Sequence, residues 1–113
     1  MVSSRFPFIP IELAIDGHSY ALDAMLDTGF DGDVVVPADL LGSEVLASDQ
    51  LRVRLADGSG MVLPAHFGTA RIGEWEIADV MVYVLGDVPL VGTNRIRHFI
   101  VTLDHGRRVI VEP

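Results

Sequence analysis

Apolar and polar residues alternate with a period of two along most of the chain, which is the signature of half-buried strands rather than helices. Ile11, Leu13 and Ile15 alternate with small or polar neighbours, Asp16-Gly17 supplies a turn, and Tyr20, Leu22, Ala24 and Leu26 resume the alternation. This predicts a hairpin whose second strand runs straight into Asp27. Pro10 lies in the first strand and has no N–H to give to a ladder, so that strand is expected at a sheet edge. After Asp27-Thr28-Gly29 comes the apolar run Val34-Val35-Val36, and Ala38 to Leu41 reads as one helical turn ending before Gly42. Residues 43 to 50 read as a surface loop.

Further along, Leu51, Val53 and Leu55 alternate with Arg52 and Arg54 up to Asp57-Gly58-Ser59-Gly60, and apolar residues resume at Met61-Val62-Leu63. The pattern predicts a second hairpin with a glycine-rich tip. A third strand pair surrounds Gly73-Glu74, with Trp75, Ile77, Val80, Val82 and Val84 on its far strand. Pro89-Leu90-Val91-Gly92 reads as a short buried strand, and Thr93 is expected to cap a brief helix through about Phe99, because a threonine oxygen can accept from the first orphan amides. Phe99, Val101 and Leu103, a turn at Asp104-His105-Gly106, and Val109 to Val111 form the closing hairpin. The expectation is one all-β domain over residues 1–113, with one or two short helices and no internal linker.

Composition narrows the function classes. Half of the 113 residues are hydrophobic and 21% are charged, a globular balance. The formal net charge is −8 with only 8 Lys and Arg, which makes a phosphate-tracking surface, and hence a nucleic-acid partner, a poor expectation. There is no cysteine, so disulfides, thiolate zinc sites and a cysteine nucleophile are excluded, and a reducing cytoplasm suits the chain. Met1 to Pro10 is too short and too interrupted for a signal-peptide core. No run approaches the roughly 20 apolar residues of a membrane helix. His18, His66, His98 and His105 show no metal-ligand spacing, and no serine sits in a Gly-x-Ser-x-Gly corner. Neither a metal nor an organic cofactor is expected. Asp33, Asp39, Asp79, Asp87 and Asp104 read as solvated surface, and Trp75 as a packing residue.

The chemically informative stretch is Ala24-Met25-Leu26-Asp27-Thr28-Gly29-Phe30-Asp31-Gly32, where an apolar strand delivers a carboxylate to a corner. Alone, Asp-Thr-Gly is an ordinary turn sequence. Followed by the glycine-tipped hairpin and then by Leu90-Val91-Gly92 leading into a short helix, it resembles the aspartic peptidase clan, specifically the single-domain retropepsins and their bacterial relatives. The resemblance runs from about Ile11 to Val111 and implies a closed, barrel-like fold. It assigns Asp27 as the catalytic aspartate, Thr28 as the hydroxyl residue that grips its counterpart across a dimer axis, and Gly29 as a lining of the substrate cleft. It also places Phe30 and Asp31 beside bound substrate, Asp57, Gly58, Ser59 and Gly60 at the tip of a closing flap, and Leu90, Val91 and Gly92 beneath the aspartate loop.

Hydrolysis of a peptide by an activated water needs one group to accept a proton and another to supply one. Two carboxylates about 3 Å apart do not both ionise and so share one proton, which meets that need. The chain has one Asp-Thr-Gly, so the second aspartate is expected from a symmetry mate, giving a homodimer that acts on a peptide or an unfolded protein. Two departures from the family pattern stand out. Phe30 occupies a position where relatives carry Ala, Ser or Thr. Thr93 stands where retroviral members have an arginine that pairs with the acid matched by Asp31, leaving Arg95, or the partner subunit's Arg5, as the expected partner of Asp31. A dimeric module that keeps the fold and binds peptide without cutting is the alternative, and an unrelated β-barrel whose Asp-Thr-Gly is only a turn is a third reading.

Overall fold

The computed structural model describes residues 1–41, 49–54 and 56–113. In chain order its elements are β1 (Val2–Ser3), β2 (Phe8–Ile15), β3 (His18–Leu26), β4 (Val34–Val36), α1 (Ala38–Leu41), β5 (Asp49–Arg54), β6 (Gly60–Ile72), β7 (Trp75–Val84), β8 (Leu90–Val91), α2 (Thr93–Ile96), β9 (Ile100–Asp104) and β10 (Arg108–Glu112). The expected strands are present. Gly42, residues 43–48 of the loop expected over 43–50, and Leu55 lie outside the described residues, while Asp49 and Gln50, the end of that expected loop, already belong to β5.

The hairpin of β2 and β3 closes with Ile15 opposite His18, and both residues between them have positive φ, Asp16 at 49° and Gly17 at 79°. A two-residue turn of this hand matches the right-handed twist of its strands, which is why Asp-Gly serves there. Seven strands in the order β2-β3-β8-β4-β7-β6-β5 form the main sheet, and a further pairing of β2 with β6 closes it into a barrel. The seam sets Glu12, Leu13 and Ala14 opposite Arg71, Ala70 and Thr69. Pro10 pairs with Asp23 outside that seam, so only the first half of β2 keeps the expected edge character.

Closure depends on a bend. Between Gly68 and Ala70 the β6–β7 register slips by one residue, and Asp79 on β7 takes φ 56°. An extra residue on one strand sharpens the local twist, which lets β6 serve β7 along its length and β2 at its far end. The slip is already visible as the change of parity from Trp75 and Ile77 to Val80, Val82 and Val84. A three-stranded sheet, β1-β10-β9, packs beside the barrel, and Val109 and Val111 join Ile9, Leu13, Ile15, Ile72, Val80 and Val82 in one continuous buried cluster.

Two expectations at the helix are corrected. The residue preceding α2 is Gly92, in extended conformation and with no side-chain cap, and the helix ends at Ile96 rather than near Phe99. Thr93 does not cap because its hydroxyl is turned to the carbonyl of Phe30, 3.2 Å away.

At the seam Gly68 is demanded by contact: a Cβ there would lie 2.4 Å from the Ala14 carbonyl oxygen. Gly68→Ala is therefore expected to lower stability by about 1–3 kcal/mol, seen as a lower urea midpoint with an unchanged m-value. An unshifted midpoint would show that the barrel does not need this approach.

Candidate active site

Asp27 is placed by strands on both sides of it. β8 is two residues long and lies between β3 and β4, parallel to β3 and antiparallel to β4. The chain leaves β3 at Leu26, arches over residues 27–33, and returns as β4, so the arch spans the end of β8. The Asp27 N–H donates to the Val91 carbonyl at 3.0 Å. In return Gly92 N–H donates to Asp33 O at 2.8 Å, Thr93 N–H to Phe30 O at 2.8 Å, and Asn94 N–H to Gly32 O at 3.2 Å. Leu90, Val91 and Gly92 thus lie beneath the arch.

The approach is so close that Gly92 cannot carry a side chain. A Cβ on it would lie 2.4 Å from Gly32 O, 2.5 Å from Phe30 Cδ2 and 2.7 Å from Phe30 O. At the arch itself the Asp27 carboxylate is half-buried, and its Oδ1 accepts from the Gly29 N–H at 2.9 Å. Thr28 and Gly29 are exposed, and the Thr28 hydroxyl bonds to no described residue.

Asp27 opens onto a cleft of about 710 Å³. Gly29, Phe30 and Asp31 share its arch wall, and Leu90, Val35, Leu63, Tyr83 and Leu85 give it an apolar bed. From the β5–β6 hairpin the lining residues are Arg52, Arg54 and Ala56; Asp57, Gly58, Ser59 and Gly60 are exposed and do not line it. The tip is nevertheless organised, because Asp57 Oδ1 accepts from the Ser59 hydroxyl at 2.6 Å and from its N–H at 2.9 Å. These two bonds, the hydroxyl first, hold the Asp57 carboxyl below its ordinary value of 3.8.

Asp33 overturns its expected role as a surface acid. It is 4% exposed. Its carboxylate accepts from the Met81 N–H at 2.8 Å and from Asn94 Nδ2 at 2.5 Å, and Arg95 Nε lies 3.2 Å from Oδ1. Arg95 also donates to the carbonyl of Asp79 at 2.7 Å, so one side chain joins the arch to the bulge of β7. Arg95 thus serves Asp33 rather than Asp31, and Arg5 pairs with Asp23 of its own chain. Asp31 is exposed on the cleft wall and has no ion pair among the described residues. A signal for Asp33 existed: it immediately precedes Val34-Val35-Val36, all buried, and a polar residue at the head of such a strand cannot reach solvent easily.

Tyr83 was not marked out by the alternation, which puts Val80 and Val82 in the core and leaves odd positions facing outward. Outward here means into the cleft. Its ring meets Phe30 edge to face, with centroids 6.0 Å apart. Burial first, and then the charges of Asp33 and Asp31, push its hydroxyl above the ordinary value of 10.0, keeping it a neutral donor. Trp75 packs on Phe99 with centroids 5.4 Å apart, outside the cleft lining.

Two predictions follow from this geometry. Asp33→Ala leaves the Met81 and Asn94 amides without their acceptor and the partly buried Arg95 guanidinium without its counter-charge, and is expected to cost about 3 kcal/mol in denaturant unfolding. A loss below about 1 kcal/mol would show that the arch is anchored elsewhere. Because the folded Asp57 value is lowered, its contribution to the tip is present above the unfolded value and fades as pH falls through the folded one. Ser59→Ala should return the Asp57 carboxyl toward 3.8 in an NMR titration, whereas an unmoved midpoint would refute the role of the hydroxyl.

No family model matches the sequence, and no curated protein sequence does. Solved structures do match. A retropepsin-like aspartic protease from Rickettsia conorii superposes with a TM-score of 0.67 at 18% identity, over 98% of this chain and 88% of that one. The protease of simian foamy virus (mac) superposes with a TM-score of 0.52 at 18% identity, over 78% of this chain and 91% of that one. The barrel closed at β2–β6, the arch over β8 and the hairpin beside the cleft therefore constitute a retropepsin-like fold.

Proposed function

We propose that the chain is one half of a homodimeric aspartic endopeptidase in which two Asp27 carboxylates, one from each subunit, activate a water molecule. The observation that carries this reading is the placement of Asp27: a half-buried carboxylate on the arch wall of a cleft, held by backbone hydrogen bonds on a loop that β8 braces from below. The ionised member of the pair takes a proton from water, the protonated member gives one to the scissile carbonyl, and the tetrahedral adduct collapses as the leaving nitrogen is protonated.

An extended peptide or unfolded segment would lie between the arch and the β5–β6 hairpin, bonded to backbone such as Gly29, with Phe30, Asp31 and Tyr83 beside it. Asp57 to Gly60 would close over it. A second copy fits the outer edge of β9, which pairs on one side only, with β10, among the described residues, and which exposes Ile100 at 62% and Leu103 at 56%. The exposed, unbonded Thr28 suits a grip across the axis. The absence of cysteine suits a reducing cytoplasm.

One observation favours a second reading, a dimeric peptide-binding module that does not cut. The Phe30 ring gives the wall beside Asp27 bulk and no hydroxyl, and fills the space over Gly32 and Gly92. Stable peptide complexes without products would select it.

Asp27→Asn is expected to leave the dimer intact by analytical ultracentrifugation while kcat/KM for peptide cleavage falls by about 10²–10⁴-fold or more. A wild-type protein that cleaves nothing across a broad peptide library and pH series sinks the peptidase reading, and a monomer at working concentration sinks both.

A further inference from the structure

The cleft carries its cations on one wall only. Arg52 and Arg54 line it from β5, whereas its acids, Asp27 and Asp31, belong to the arch. The two arginines are exposed, alternate along the strand, and form no ion pair with any described residue. Arg5, Arg71, Arg95 and Arg108 differ, each lying against a carboxylate. In a chain of net charge −8 with 8 cationic residues, two guanidiniums that lack an ion pair among the described residues balance the two carboxylates of this cleft and make its β5 wall alone positive.

Range decides which field a bound peptide feels. At physiological ionic strength the Debye length is about 8 Å, so carboxylates spread over the surface are largely screened at the cleft, while a guanidinium within hydrogen-bonding reach is not. Its planar fork also matches a carboxylate in shape. On the opposite wall Asp27 and Asp31 repel an acidic side chain. We propose that Arg52 and Arg54 form an acid-selecting subsite, so that the cleft prefers extended peptides with a Glu or Asp side chain facing β5. The proposal rests on the reading that this cleft binds peptide.

The test uses a position-scanning decapeptide library in which one position at a time is fixed as Glu, Gln or Lys. Binding is measured to Asp27→Asn protein, and cleavage by the wild type. Glu members should bind about tenfold more tightly than Gln members at one position, an advantage that shrinks with added salt. Changing Arg52 and Arg54 together to Gln should bring that ratio to about one, and changing both to Glu should turn the preference to Lys. Equal binding of Glu and Gln members at every position overturns the proposal, as does a Glu preference that survives the double Gln variant. Cleavage without acidic preference removes the subsite and leaves the peptidase; acidic preference in binding without any cleavage removes the peptidase and leaves the subsite. No binding by any member removes both.

Discussion

The contact on which the candidate site depends is the seating of one stretch of backbone directly on another. The arch of residues 27–33 rests on residues 91–94 through four backbone hydrogen bonds, and at Gly92 the carbonyls of Phe30 and Gly32 leave no space for a side chain. Backbone bonds of this kind have little of the rotamer freedom that surface side-chain contacts carry, so they hold Asp27 at one depth and one direction. Gly92 is a packing requirement more than a conformational one, since its φ is not positive.

A second anchor reinforces the first by electrostatics. Burying a carboxylate is costly, several kcal/mol per ion even after relaxation, unless its lone pairs are used and its charge is met. Asp33 satisfies both conditions, accepting from Met81 and Asn94 with Arg95 alongside. Since Met81 is on β7 and Asn94 on α2, this one side chain ties the returning end of the arch to two other elements. Arg95 extends the tie to Asp79, which lies at the register shift between β6 and β7. The closure of the barrel and the support of the arch are therefore linked through a single guanidinium, although Asp27 and the seam are far apart in sequence.

The cleft follows from the same framework. Strands β4, β7 and β8 set Val35, Tyr83 and Leu90 as its bed, the arch forms one wall, and β5 the other. Acids on one side and, on the other, guanidiniums with no ion pair among the described residues give it a direction, while Phe30 and Tyr83 contribute an aromatic pair to its lining. Fold likeness to proteases at 18% identity reaches the architecture; the chemistry of this particular cleft is a matter of these side chains.

Alternation, turn residues and the order of short motifs were sufficient to identify the strands other than β1, the Asp16-Gly17 turn, the tips at Gly58 and Gly73, and Asp27 at a strand end, because each of these is decided by neighbours within a few residues. What the sequence alone could not decide was which surface each strand's second face would meet. Tyr83 looked outward and lines the cleft; Asp33 looked solvated and is buried; Arg95 looked like a partner for Asp31 and serves Asp33; Thr93 looked like a helix cap and turns to Phe30. In every case the deciding partner lies 48 or more residues away or across a barrel wall. Local periodicity records that a side chain points to one side of a strand, whereas only closure of the sheet determines what occupies that side.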